Sequence, residues 1–224
     1  MPTVSVPVRT AKQGIKLVTN QLTTIQIRMA SVEILVGGPY GDHSYGHTAL
    51  RVTTSSEDKV FDYGRYGLTW GVGKSEGEGV LNIWNSFNAY IAEENSLGRT
   101  TTGFVYDTSE ENAKKVFGFY ERKIAGKKPK TESRTKKSFI IDDYYALGPN
   151  CTTLSVSAVK TIFPDIDREW ANHQQGRGLG LMEKGLVSAK GWPSFIFMPA
   201  DLQDMLGSPT AKKPKAVIKY GGKR

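Results

Sequence analysis

From Thr23 the chain alternates: Ile25 and Ile27 lie between Thr24, Gln26 and Arg28, a period of two that predicts a half-buried strand. Further strands are predicted at 31–36, 44–52, 59–64, 80–84, 101–106, 138–141 and 194–197, with Ser55-Ser56-Glu57-Asp58 turning the third of these back on the second. The spacing changes between them. Tyr90 and Ile91 mark a short helix over 88–97. Val116, Phe117, Tyr120 and Ile124 form the inner face of a longer one, opened by Asp107-Thr108-Ser109 and the acidic pair Glu110 and Glu111. Leu154, Ala158, Val159 and Ile162 predict a helix behind Cys151, and short helices are expected at 167–173 and 199–206. Glycine-rich or basic stretches at 37–42, 65–77, 127–137 and 176–180 read as loops. No repeat at solenoid periods is present. The pattern divides the chain into an N-terminal arm and first strand at 1–30, one α+β domain at 31–206, and a basic, mobile tail at 207–224.

Composition narrows the class. The 224 residues are 38% apolar and include 24 glycines, which suits one loop-rich globular domain with a sizeable core. A net charge of +8 suits an anionic partner such as nucleic acid, an acidic membrane or an acidic cell-wall polymer. No apolar run approaches the roughly 18 residues of a membrane span. Residues 1–21 lack the apolar core of a secretory signal, so the expectation is a protein made in the cytoplasm and, if exported, exported by another route. The single cysteine excludes an intrachain disulfide.

That cysteine carries the candidate chemistry. In Gly148-Pro149-Asn150-Cys151-Thr152-Thr153-Leu154, a turn is followed by a capping asparagine, which puts the Cys151 thiol in the first turn of a helix. Unpaired N–H groups and the positive end of the dipole favour the thiolate there, and the thiolate is the nucleophile. A thiolate needs an imidazole beside it. Of the three histidines, His47 stands where a glycine-rich loop enters a strand, His43 lies in that loop, and His173 lies in a polar segment. Asp62, on the strand returning from His47, is the candidate to orient the imidazole, with Tyr63 next. The Cys151 N–H is one oxyanion donor, and Tyr45 or Tyr40 is a candidate second donor. No HExxH, CxxC or histidine pair suggests a metal, and no phosphate-binding glycine motif suggests a nucleotide; no cofactor is expected.

Gly46-His47-Thr48-Ala49-Leu50-Arg51-Val52, then Val60-Phe61-Asp62-Tyr63-Gly64, then Asn150-Cys151-Thr152-Thr153 resembles the circularly permuted papain-like hydrolases of the NlpC superfamily. The branch it looks most like is a bacterial envelope family that also contains a lipoprotein N-acyltransferase. The resemblance covers about residues 31–206, in the permuted order of histidine strand, polar strand and cysteine helix. It implies a permuted papain-like fold, a small antiparallel sheet packed on the helix that carries the cysteine at its N-terminus. It also implies Cys151 as nucleophile and His47 as base, with Asp62 the third member. Tyr45, Tyr63 and Asn150 are the candidate substrate or oxyanion residues. Envelope members of the family usually carry a signal or lipid anchor, and neither is expected here.

Three functions follow as expectations. The first is a peptidoglycan amidase or endopeptidase, an antibacterial toxin delivered into a target-cell periplasm by a machine such as type VI secretion, with an immunity protein and a carrier as partners. The second is thioester-forming acyl transfer or hydrolysis on a lipid or lipoprotein. The third is a basic binding module. Against a stable nucleic-acid partner, the aromatics are not interleaved with the basic runs.

Overall fold

The computed structural model describes residues 29–41, 44–71 and 76–221. The strand expected at 23–28, the arm before it and His43 lie outside these residues. The strands among them are β1 (Met29–Gly37), β2 (His47–Thr53), β3 (Asp58–Gly64), β4 (Thr69–Trp70), β5 (Glu76–Trp84), β6 (Thr101–Ser109), β7 (Thr131–Glu132), β8 (Lys136–Tyr145) and β9 (Ala216–Tyr220). The helices are α1 (Phe87–Ser96), α2 (Glu110–Ile124), α3 (Cys151–Lys160), α4 (Trp170–His173), α5 (Leu181–Lys190) and α6 (Pro199–Gly207). This is a mixed α+β architecture on one antiparallel sheet in the order β7-β8-β5-β3-β2-β1-β6-β9, with β4 on the end of β5. Its nine strands make it larger than the small sheet expected.

Alternation along each strand sorts the two faces. Val32, Ile34 and Val36 of β1, Leu50 and Val52 of β2, and Phe61 and Tyr63 of β3 turn toward a core closed by α2, α3 and α6. Leu35, Ala49, Val60 and Trp84 turn to the other face, where Tyr90 of α1 packs on them. Phe61 lies flat on Tyr120 of α2, centroids 4.0 Å apart, which locks helix to sheet. Three helices, α1, α2 and α3, are capped by the residue their sequence offers. Ser86 accepts from the Ala89 N–H, Ser109 accepts from the Asn112 N–H, and Asn150 and Thr153 cap each other reciprocally.

Several expectations change. The mobile tail is not separate: Ala216–Tyr220 forms β9 and pairs with β6, so the sheet extends to residue 220. The Tyr220 hydroxyl donates to Glu33 at 2.7 Å and its ring packs on Phe87, giving that strand an anchor the charge pattern concealed. Residues 194–197 form no strand. Ile196 and Phe197 are buried, but side chains meet the carbonyls here: Asn150 donates to Phe197 O and Gln174 to Phe195 O. The basic loop at 127–137 contains the β7–β8 turn, and β8 runs on through Tyr144 and Tyr145. The glycine-rich loop at 176–180 leads into α5, which leaves Leu181, Met182 and Leu186 exposed.

Candidate active site

Gly148-Pro149 and the capping pair bring Cys151 to the tip of α3, on the face of the sheet shared with β2 and β3. Asn150 does more than cap. Its amide also donates to Ala146 O at 2.8 Å and Phe197 O at 3.0 Å, so one buried side chain ties the turn, the helix tip and the 194–198 segment together. Thr48 and Thr152 hydroxyls meet at 3.0 Å and fasten the start of β2 to the first turn of α3. Gly46, with φ +73°, makes the entry to β2 possible: a Cβ there would lie 2.6 Å from Gly37 O. His47 therefore begins its strand beside the helix tip, and it is buried.

Asp62 lies one strand over, on the same face as His47, because Ala49 and Asp62 are register partners. His47 Nε2 and Asp62 Oδ1 are 2.6 Å apart, and Asp62 is only 4% exposed. A buried carboxylate needs its lone pairs filled. The Tyr66 hydroxyl donates to Oδ1 at 2.9 Å, while Asn82 Nδ2 and Trp84 Nε1 donate to Oδ2 at 3.1 and 3.4 Å. Ser138 fixes Asn82 in turn, donating to its Oδ1 at 2.6 Å. With Nε2 engaged by Asp62, the other ring nitrogen of His47 is left for the sulfur, and the two groups are near enough for each to favour the other's charged form.

The electrostatics follow from this packing. Burial acts against charge on all three groups, and each is outweighed. The Asp62 charge and hydrogen bond, helped by Cys151, raise His47 to about 10. His47 in turn depresses Asp62 below the usual carboxylate value, with Asn82 and Tyr66 contributing. At Cys151 the hydrogen bond and charge of His47, the Tyr144 hydroxyl and the Thr48 N–H lower the thiol. These shifts all favour a thiolate–imidazolium pair with a carboxylate behind it, and the thiolate is the nucleophilic form.

Tyr144 lies beyond the strand predicted at 138–141, and no motif marks it. Its hydroxyl lies 3.6 Å from Cys151 Sγ. Burial and the neighbouring thiolate push its ionisation well up, so it stays a proton donor. Tyr45 and Tyr40 were the tyrosines expected as second oxyanion donors. Tyr45 lines the cleft, but its hydroxyl is committed to Glu183 of α5, and the Tyr40 ring lies against the Arg99 guanidinium, 4.4 Å from its centroid. Tyr63 is corrected as well. Adjacent to Asp62, it points through the opposite face and donates to Asp143 O at 3.3 Å. His173 pairs with Asp204 at 2.6 Å and does not line the cleft. Tyr66 is half exposed, yet its hydroxyl is turned inward onto Asp62, so its ring roofs the His47–Asp62 pair.

A cleft of about 250 Å³ opens over these groups, with Tyr45, Arg65, Arg99, Leu179, Phe197 and Pro199 among its walls. Among the described residues no group of three or more His, Cys, Asp or Glu side chains comes together to hold a metal. No helix there is long and apolar enough to cross a membrane. Protein-family models, curated proteins and solved structures were compared with the chain, and none matches it.

Proposed function

We propose that the protein is a cysteine-dependent amide hydrolase that acts on bacterial cell-wall peptide. One observation carries this reading: a thiol at a helix tip, lowered by a buried imidazole whose far nitrogen is held 2.6 Å from a carboxylate, at the floor of an open cleft. In this reading Cys151 attacks the amide carbonyl, and the oxyanion is met by the Cys151 N–H and the Tyr144 hydroxyl. The His47 imidazolium gives its proton to the departing amine, then takes one from the water that cleaves the thioester. The order of histidine strand, carboxylate strand and cysteine helix along the chain supports a permuted papain-like arrangement. The net charge of +8 suits an anionic wall polymer. Delivery as an antibacterial toxin, with an immunity protein, belongs to the same proposal.

The test is direct. Purified protein should release new termini from isolated sacculi or soluble muropeptides, and Cys151→Ala and His47→Ala should not. Expressed with a periplasmic signal, the wild type alone should lyse cells. Intact muropeptides after long incubation with wild-type enzyme whose thiol alkylates rapidly would remove the cell-wall substrate and keep the thiol chemistry.

A second reading, acyl transfer or hydrolysis on a lipid, has its own observation. Leu181 and Met182 are 92% and 84% exposed on α5, beside Leu179 at the cleft wall. A mass increase on Cys151 equal to an acyl chain after exposure to phospholipid, with none after exposure to cell-wall peptide, would favour it.

A further inference from the structure

Two arginines in the cleft are not used by the chemistry above. Arg99 follows α1 and is 6% exposed, yet it is poorly paired for so buried a guanidinium. Its Nη1 donates to Glu94 at 2.7 Å, the only side-chain hydrogen bond it makes among the described residues, and its buried Nε–H has no partner there. A guanidinium can use its planar fork to meet a carboxylate with two parallel bonds. Here Glu94 takes one corner, the Tyr40 ring supports the plane, and the Nε edge is left over. Arg65, directly after β3, makes no ion pair or hydrogen bond among the described residues. It is close enough to Tyr45 and Tyr144 for its charge to be felt at both hydroxyls. Both arginines line the cleft that contains Cys151.

We propose that the cleft selects substrates carrying free carboxylates beside the bond presented to Cys151, with Arg99 Nε and the Arg65 guanidinium as the two carboxylate-binding groups. This rests on the hydrolase reading for its scissile bond and extends it to a substrate class: an acidic peptide. Arg99 sits with Tyr40 and near Tyr66, and Arg65 sits near Tyr45 and Tyr144. A peptide bound in the cleft would therefore meet two cations. A neutral acyl chain would leave Arg65 without a counter-ion and the Arg99 Nε–H without an acceptor, so the proposal also separates the two functional readings.

The experiment uses the full-length Cys151→Ala chain, immobilised, and soluble muropeptides from digested sacculi. Half of the muropeptides have their carboxylates converted to amides with carbodiimide and ammonia. Retention, read by mass spectrometry, should favour the untreated peptides by about 10- to 100-fold, the range that charge-assisted hydrogen bonds supply. Adding Arg65→Gln, or Arg99→Lys, should remove most of that preference and leave retention of the amidated peptides unchanged. Arg99→Lys keeps a cation for Glu94 while deleting the Nε donor. Should it unfold by circular dichroism, Arg65→Gln decides alone, since Arg65 has no buried partner. Equal retention of the two peptide sets, or arginine variants that lose both sets alike, overturns the proposal. Carboxylate preference in a protein whose wild type cuts no muropeptide would leave the binding site standing and remove the hydrolase. Cleavage without preference would do the reverse.

Discussion

Replacing Asp62 with asparagine changes one atom and tests the electrostatic chain from carboxylate to sulfur. Asp62 accepts from Tyr66, Asn82 and Trp84 and holds His47 at 2.6 Å. An asparagine amide must place its NH2 toward one side. Toward the old Oδ2 position it opposes the Asn82 and Trp84 donors. Toward Oδ1 it forces His47 Nε2 to accept, which puts the ring proton on Nδ1 and spoils the ring as a base toward sulfur. Either way the charge-assisted bond is lost, about 1.5–3 kcal/mol. At about 1.4 kcal/mol per pH unit, the His47 pKa should fall by roughly 1–2 units. The imidazolium then supports the thiolate less, and the Cys151 pKa rises. The assay is the rate of Cys151 alkylation by iodoacetamide from pH 4 to 10. Wild type should already react fast at neutral pH. Asp62→Asn should shift the rising limb upward by about a unit or more, with a roughly tenfold slower rate at pH 7. A limb that stays in place would mean that His47 reaches the sulfur without help from Asp62, and the triad would be wrong.

Three further outcomes follow. His47 has a folded pKa raised from 6.5 to about 10, so its contribution to stability is complete below pH 6.5 and fades as pH rises toward 10. Cys151, lowered from 9.0, contributes fully above pH 9 and loses that contribution as pH falls through its folded value, so the two oppose each other between. Thermal melts should therefore be nearly flat for wild type from pH 7 to 9 and fall with pH for Cys151→Ala; parallel curves would refute the coupling. Tyr144→Phe should slow amide cleavage by about 100-fold, the typical cost of an oxyanion donor, while alkylation, which builds no oxyanion, changes far less. Equal losses in both assays would make Tyr144 merely a support for the thiolate. Asn150→Ala removes a helix cap and leaves the Phe197 and Ala146 carbonyls without their donor, so urea denaturation should show a loss of about 2–4 kcal/mol. A loss under 0.5 kcal/mol would show that the tip of α3 is held by other contacts.

What the sequence alone determined is local. The apolar runs at 31–36, 59–64 and 80–84 are strands, buried on both sides because α1 covers one face of the sheet and α2, α3 and α6 the other. Ser109 and Asn150 open helices because a short polar side chain satisfies N–H groups within three residues. Cys151 at a helix tip and His47 at a strand entry were legible for the same reason; Asp62 was chosen as a carboxylate among apolar residues, and only the register of β2 with β3 puts it, rather than Tyr63, on the face of His47. Tertiary structure decided what depends on pairing between distant strands. Asn82 and Trp84 support Asp62 only because β5 lies beside β3 in a register that sets Asn82 opposite Asp62. Tyr144 reaches the sulfur only because β8 runs four residues further than its apolar centre suggested. Arg99 loses most of its solvent to neighbours that are distant in sequence, such as Tyr40. Residues 216–220 looked like a mobile basic tail, yet they close an edge of the sheet, because an open row of backbone groups on β6 accepts a strand whatever charges flank it. No spacing along the chain encodes such neighbours; long-range backbone hydrogen bonds and the shape of the core select them.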